Sequence, residues 1–183
     1  MIIALTGPIG SGKGEAALYL KEKGFQYLVY SDILREAAKE QGIEPTRENL
    51  NKIGISIKEQ FHDPGYLSKR LLEKVSKKDA VVDGVRNVGE IKELKKMKDA
   101  HVIGVAAPQR LRFRRVFGRK RDGDPTTFSA FKKIDNLENR GKTKGQEINA
   151  CLKHADFIIH NSGAVGDLKK KVDEAIALLT KRT

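Results

Sequence analysis

Residues 7–14 read GPIGSGKG and follow directly on an apolar run, IIALT, at residues 2–6. Glycine at 7, 10 and 12 lets a backbone fold close around phosphate oxygens, where a side chain would block the approach or forbid the dihedrals. Lys13 then supplies a point charge for β- and γ-phosphates, and a helix starting beside it points unpaired N–H groups at the same anion. The flanks agree with this reading. A strand-length run precedes the glycines, and EAALYLKEKG follows with the period of an amphipathic helix that ends at Gly24. Strand, loop and helix thus occur in the order a phosphate-binding loop requires. One position departs from the G-x-x-x-x-G-K-[ST] pattern: the hydroxyl that holds magnesium is replaced by Gly14.

Working outward, five strand-length apolar runs alternate with longer helical patterns: IIALT, FQYLVY, AVVD, AHVIGVAA and DFIIHN. Such alternation predicts parallel strands joined by crossover helices, and continuously apolar strands predict helices on both faces of the sheet. The expected fold is α/β, with a parallel five-stranded sheet between two helical layers. The 183 residues fit one domain, residues 1–183, with two insertions. The first, residues 31–78, holds three helical patterns broken at Pro45 and Pro64, with Thr46 placed to cap a helix. The second, about residues 115–140, begins at RKRDGDPT, an exposed-loop composition.

The net charge of +12 and pI of about 9.8 call for an anionic partner, whether nucleic acid, a phosphorylated metabolite or an acidic surface, or for solvated lysines with no partner. A single cysteine, Cys151, excludes an internal disulfide framework and suggests a core position. No apolar stretch reaches the roughly 18 residues of a membrane span, and MIIALTGPIG reads as a strand and not as a signal peptide, so a cytoplasmic location is expected. His154 and His160 lack metal-ligand partners at useful spacing and read as structural.

GPIGSGKG resembles the loop of adenylate kinase and related nucleoside monophosphate kinases, in which glycine commonly follows the lysine and the metal is held largely through water. IALTGPIGSGKG also resembles dephospho-CoA kinase. The resemblance implies ATP and Mg2+ as cofactors, with Gly7, Gly10, Ser11, Gly12, Lys13, Gly14 and Glu15 around the phosphates. Glu15 replaces the usual threonine of adenylate kinases and is expected to face away. SDILR, residues 31–35, is similar to the G-D-x-L-R segment that opens the monophosphate-binding insertion; this implies Arg35 on an acceptor phosphate, with Ser31 and Asp32 lining the transfer site. In dephospho-CoA kinase a comparable aspartate is the base, so Asp32 matters under both readings. Ser31 could instead cap the helix.

VVDGVRN, residues 81–87, matches the D-G-[VI]-R spacing of archaeal adenylate-kinase-related proteins. Asp83 is the candidate magnesium residue and Arg86 the second acceptor arginine, because guanidinium groups fork onto phosphate oxygens. Asp83 capping the following helix is the structural alternative. RRVFGRKRDGDP resembles the start of the adenylate kinase lid and nominates Arg115 and Arg119, one helical turn apart, for the triphosphate. Asp135 and Arg140 fall at lid-hinge positions. HADFIIHNSGAV, residues 154–165, resembles the base-binding segment of dephospho-CoA kinase, which nominates Asn161 and Gly163.

The first functional expectation is a nucleotide kinase moving the γ-phosphoryl of ATP to a nucleoside monophosphate, with Lys13, Asp32, Arg86, Arg115 and Arg119 at the reaction centre. A hydroxyl kinase of dephospho-CoA type, with Asp32 as base, is the alternative. The partner is a small-molecule phosphate acceptor, the protein a monomer or homodimer, and no membrane is involved. A nucleic-acid-associated ATPase is a third reading. It rests on residues 110–144, where twelve Lys or Arg face four acids. The absence of Trp and a small number of aromatics near that segment argue against a base-stacking surface, and a lid by itself explains its charge.

Overall fold

Every residue of β1 (Ile2–Thr6) is buried, because this strand lies at the centre of the sheet. The computed structural model describes residues 1–121, 123–139 and 146–181. Parallel pairing joins β1 to β3 (Ala80–Val85) on one side and to β4 (Ala100–Ala106) on the other. Edge strands β2 (Gln26–Val29) and β5 (Phe157–His160) complete the order β2-β3-β1-β4-β5. Successive side chains of a strand point to opposite faces, and β1 shows what this does. Ile3 and Leu5 enter a core with Ala16, Ala17 and Leu20 of α1 (Lys13–Glu22) and Leu168, Val172 and Leu179 of α9 (Val165–Thr180). Ile2 and Ala4 enter a second core on the opposite face.

That second core draws in the first insertion. Its helices are α2 (Tyr30–Glu40), α3 (Arg47–Gln60) and α4 (Tyr66–Leu72). Tyr30, Ile33, Leu67 and Leu71 from the insertion pack with Ile91 and Leu94 of α5 (Val88–Leu94) and with Cys151 of α8 (Ile148–Lys153). Burial pushes the Cys151 thiol up to about 12, in keeping with a core residue. Tyr30, read from its apolar surroundings as the end of the second strand, instead opens α2 and is itself buried.

The cap residues settle two alternatives. Thr46 Oγ1 accepts the Asn49 N–H at 3.2 Å and starts α3. Helix α2 is entered from Val29 in extended conformation, so Ser31 lies in its first turn and is not its cap. Asn87 caps α5 and Glu90 reciprocates, the two halves of a capping box, which leaves Asp83 inside β3 and free of any capping duty.

The second insertion is built from helices more than from a loop. Here α6 (Gln109–Gly118) packs on α7 (Phe128–Asn139) through a small core of Ile9, Val116 and Phe131, with Phe113 and Phe128 against it. Ile9 belongs to the glycine loop, so the lid helices and the phosphate loop share one apolar contact.

Candidate active site

The glycine loop is wrapped from outside. Gly10 has φ +75°, and a Cβ there would lie 2.5 Å from the Arg112 carbonyl oxygen. Gly12 has φ +100°, and its Cβ would meet Asn161 Nδ2 at 2.3 Å. Around this backbone the loop carbonyls are held by long-range donors: Asn161 Nδ2 to Ser11 O at 2.8 Å, Arg115 Nη1 to Ser11 O at 3.3 Å, and Arg112 Nη1 to Ile9 O at 3.1 Å. With its carbonyls engaged outside and no side chain capping α1, the loop keeps the first-turn N–H groups of that helix available to an anion.

Lys13 opens α1 in this cradle. Burial lowers its pKa, Asp83 pulls it back up, and Arg86 lowers it further, so these charges surround one point. Asp83 is buried. Its Oδ2 accepts the Tyr27 hydroxyl at 3.3 Å, while Oδ1 has no protein partner. Burial, and then the Asp83 charge, push Tyr27 up to about 12, so it stays a neutral donor. A Cβ on Gly14 would come no closer than 4.0 Å to Asp83 Oδ2, so the space in front of the carboxylate is open. Asp83 thus keeps Oδ1 buried without a protein partner among the described residues while Oδ2 borders the space beside the phosphate loop, and a carboxylate so placed suits a divalent ion. Among the described residues no three His, Cys, Asp or Glu side chains gather as a ligand set, so such an ion would depend on nucleotide phosphates and water for the rest of its shell.

In the first insertion, one Nη of Arg35 donates to both Ser31 Oγ and Asp32 Oδ1, each at 2.8 Å, on the exposed face of α2. Asp32 and Arg35 act on the Tyr27 hydroxyl in opposite senses, which places the pair at the same end of the sheet as Asp83. Arg86 is exposed and its guanidinium pairs with no described residue. Its backbone is fixed at both ends, N–H to Glu90 Oε2 and C=O from the Glu147 N–H, each at 2.8 Å. Glu90 is in turn buried and paired with Lys58 of α3 at 2.8 Å. A rigid backbone carrying an unengaged arginine is a poised anion receptor.

The residues nominated from the second insertion are engaged with the protein itself, and the Arg119 charge also acts on Lys13. Arg115, nominated for the triphosphate, braces the loop, with Nη2 also donating to Gly163 O at 3.2 Å. Arg119 is gripped by Asp124 at 2.6 and 2.9 Å, a contact that raises its pKa above the usual arginine value. Asp135 is no exposed hinge: it is buried and takes both terminal nitrogens of buried Arg112 as well as Gln109 Nε2. Burial alone would raise the Asp135 carboxyl, but the hydrogen bonds from Arg112 and Gln109 prevail and hold it below the ordinary value. Arg140 lies outside the described residues.

Sequence reasoning missed three participants. Tyr27 lies unmarked within an apolar run; Arg112 is one basic residue among many in its segment; and Arg47 of α3 reaches across to Glu138 of α7 at 2.6 Å and toward Asp124 at 3.9 Å, tying the first insertion to the second. The Asn87-x-x-Glu90 box was readable in advance; the Arg47 contact had no local signal. Beyond the ends of β4 and β5 a cleft of about 330 Å3 is lined by Ala106, Ala107, Pro108, His160, Asn161 and Ser162. His160 therefore borders a cavity instead of serving the core, whereas His154 is tied to the Ala150 carbonyl at 3.0 Å. Gly163 leaves room for Asp167, whose Oδ2 accepts the Ala164 N–H at 3.0 Å. Glu15 is exposed, as expected.

Residues 6–132 match the AAA domain family profile. A UPF0200 protein of Sulfurisphaera tokodaii is 36% identical over 96% of this chain and 95% of its own length. One from Hyperthermus butylicus is 31% identical over 98% and 95%. Among solved structures, the shikimate kinase from Acinetobacter baumannii in complex with shikimate superposes with a TM-score of 0.62 at 19% identity, covering 96% of this chain and 92% of that one. TT1252 from Thermus thermophilus gives 0.59 at 21%, covering 98% and 97%. The architecture is that of the P-loop kinase-like proteins. No helix among the described residues is long and apolar enough to cross a membrane.

Proposed function

We propose that this chain, which belongs to the UPF0200 family, is an ATP- and Mg-dependent phosphotransferase that moves the γ-phosphoryl group of ATP to a nucleoside monophosphate. The observation that carries this reading is the convergence of Lys13, the free Asp83 carboxylate oxygen and the unengaged Arg86 at one mouth of the sheet. An arginine on a fixed backbone suits an acceptor that brings a phosphate.

In this scheme residues 1–183 form one kinase domain in which the insertion at 31–78 receives the acceptor and the region at about 115–140 covers the nucleotide. Lys13 and the N–H groups of the glycine loop hold the β- and γ-phosphates. Mg2+, held through Asp83, would neutralise charge on the same oxygens. Arg86 and Arg35, the latter released from Asp32, hold the acceptor phosphate, one oxygen of which forms the new P–O bond as the β–γ bridging bond breaks and ADP leaves. That phosphate is largely ionised near neutral pH, its second pKa being about 6, so no strong base is needed. The adenine would lie in the cleft beside Asn161. Arg115 contributes by fixing the loop, and Arg119 joins the triphosphate only by exchanging Asp124 for it.

The test is ADP formation from Mg-ATP against a panel of ribo- and deoxynucleoside monophosphates, dephospho-CoA and a no-acceptor control, with Lys13→Ala beside it. Strong stimulation by one monophosphate, absent in Lys13→Ala, is the expected result. Stimulation by dephospho-CoA alone would overturn the acceptor class and return Asp32 to the role of base.

A further inference from the structure

Helix α6 distributes its arginines over two opposite faces. At 100° per residue, Arg112, Arg115, Val116 and Arg119 share one side, and Arg110, Phe113, Arg114 and Phe117 share the other. The first side is spent: Arg112 on Asp135 and Ile9, Arg115 on the loop, Arg119 on Asp124. The second side is not. Arg110, Arg114, Lys120 and Arg121, together with Lys132 and Lys133 of α7, are exposed and form no ion pair with any described residue. Covering the nucleotide accounts only for the first set.

Aromatic rings run through the second set. Four of the seven phenylalanines of the protein, Phe113, Phe117, Phe128 and Phe131, lie in this segment, which corrects the expectation that it is poor in aromatics. Phe131 is core, but Phe117 is 57% exposed. Phe113 is half-buried, 5.9 Å from the Phe117 ring and 5.4 Å from that of Phe128, so the three make a continuous row. Arg110 stands over the Phe128 ring at 5.3 Å and Lys132 at 5.8 Å. Arg110, Arg114 and Lys132, without an ion-pair partner among the described residues, gather round these rings, with Lys120, Arg121 and Lys133 exposed in the same segment, and an anionic partner relieves the repulsion among them.

From this we propose that the outer face of α6 and α7 is a docking surface for a single-stranded nucleic acid, whose bases stack on the Phe117–Phe113–Phe128 row while Arg110, Arg114, Lys120, Arg121, Lys132 and Lys133 take its phosphates. A row of rings interleaved with cations is the arrangement that binds single strands with little sequence preference. The most exposed large apolar group of the segment is the Phe117 ring, standing among guanidinium groups, which favours a stacked base over acyl chains. Arg110, Arg114 and Phe117 lie on the side of the helix opposite Arg112 and Arg115, while Phe113 and Phe128 back onto the core shared with Ile9, and the proposal stands independently of the kinase reading.

The test uses the full chain and a labelled 12-nucleotide oligouridylate, followed by fluorescence anisotropy. Binding should weaken steeply between 50 and 200 mM salt, with a log–log slope of about −3 if four phosphates are contacted. Phe117→Ala should weaken it at least about fivefold, the equivalent of ~1 kcal/mol of stacking, and Arg110→Ala with Arg114→Ala by more. Lys13→Ala should bind the oligonucleotide as the natural chain does. Fluorescent ATP binding by the Phe117 and Arg110/Arg114 variants, equal to that of the natural chain, reports that they are folded. Four results overturn the proposal: no binding at 50 mM salt; a duplex of equal length bound as tightly with Phe117→Ala silent; an equal loss in Lys13→Ala, which would put the strand in the nucleotide cleft; or co-sedimentation with phosphatidylglycerol vesicles in place of the oligonucleotide.

Discussion

Arg114 and Arg115 are neighbours in the chain and have nothing else in common. Arg115 points into the molecule and holds Ser11, Asn161 and Gly163 together; Arg114 faces solvent and pairs with no described residue. The difference is one of helical phase, 100° of rotation. It teaches that the net charge of a segment does not describe its work: Arg112 and Arg119 are matched by Asp135 and Asp124 and Arg115 is spent on oxygens around the glycine loop, whereas Arg114 is left to solvent.

The comparison breaks most visibly in stability. Asp135→Ala leaves the Arg112 guanidinium buried without its counter-charge, which costs about 3–5 kcal/mol, or roughly 10 °C of melting temperature for a chain of this size. Arg110→Ala on the outer face should stay within about 0.5 kcal/mol. Thermal melts of the two variants side by side check the contrast. Asp135 also predicts a pH dependence. Its folded pKa lies below its unfolded value of about 4, so its contribution is complete above that pH and is lost as pH falls toward the folded value. Asp135→Asn should remove that part of the acid transition.

Within the phosphate loop the same logic separates two glycines. Gly12→Ala places a Cβ 2.3 Å from Asn161 Nδ2 at φ +100°, so the loop must shift and nucleotide binding should fall by about tenfold or more, the equivalent of ~1–3 kcal/mol of backbone strain. Gly14→Ser meets only open space in front of Asp83. It should leave nucleotide affinity within about threefold and lower the magnesium concentration needed for half-maximal turnover, because a hydroxyl then joins the Asp83 side of the ion. Titration with fluorescent ATP at fixed and varied Mg2+ distinguishes the two. Tyr27→Phe is the smallest change: loss of one hydrogen bond to Asp83 should cost about 1 kcal/mol or less in stability and shift the same magnesium dependence.

Much of this was legible in the sequence because it is local. The order strand, glycine loop and helix located Lys13, and the alternation of apolar runs with helical patterns gave the five parallel strands, with errors of one residue at the ends of β2, β4 and β5 and of two at the end of β3. Thr46 and Asn87 sit at cap positions that side-chain chemistry alone identifies. What was not legible depended on contacts far apart in the chain. Arg47 meets Glu138 across 91 positions, and Asn161 meets Ser11 across 150. No local pattern indicates that Asn161 is a brace for the loop as well as a wall of the cleft beyond β4 and β5. Arg119 was placed by analogy on the triphosphate, and its preference for Asp124 follows from a turn geometry that composition does not reveal. The two-faced arginine helix was available to a helical wheel, but only knowledge of which side meets Ile9 and Asp135 says which face is the outer one.

The most direct test is nucleotide affinity in two single variants, Arg114→Ala and Arg115→Ala, measured with fluorescent ATP under the same salt and magnesium. Removing the strut should weaken binding about tenfold or more through Arg115, whereas Arg114→Ala should remain within twofold of the natural chain. Equal losses in the two variants would mean that both faces of α6 reach the triphosphate, and the division of the lid into an inner and an outer face would be wrong.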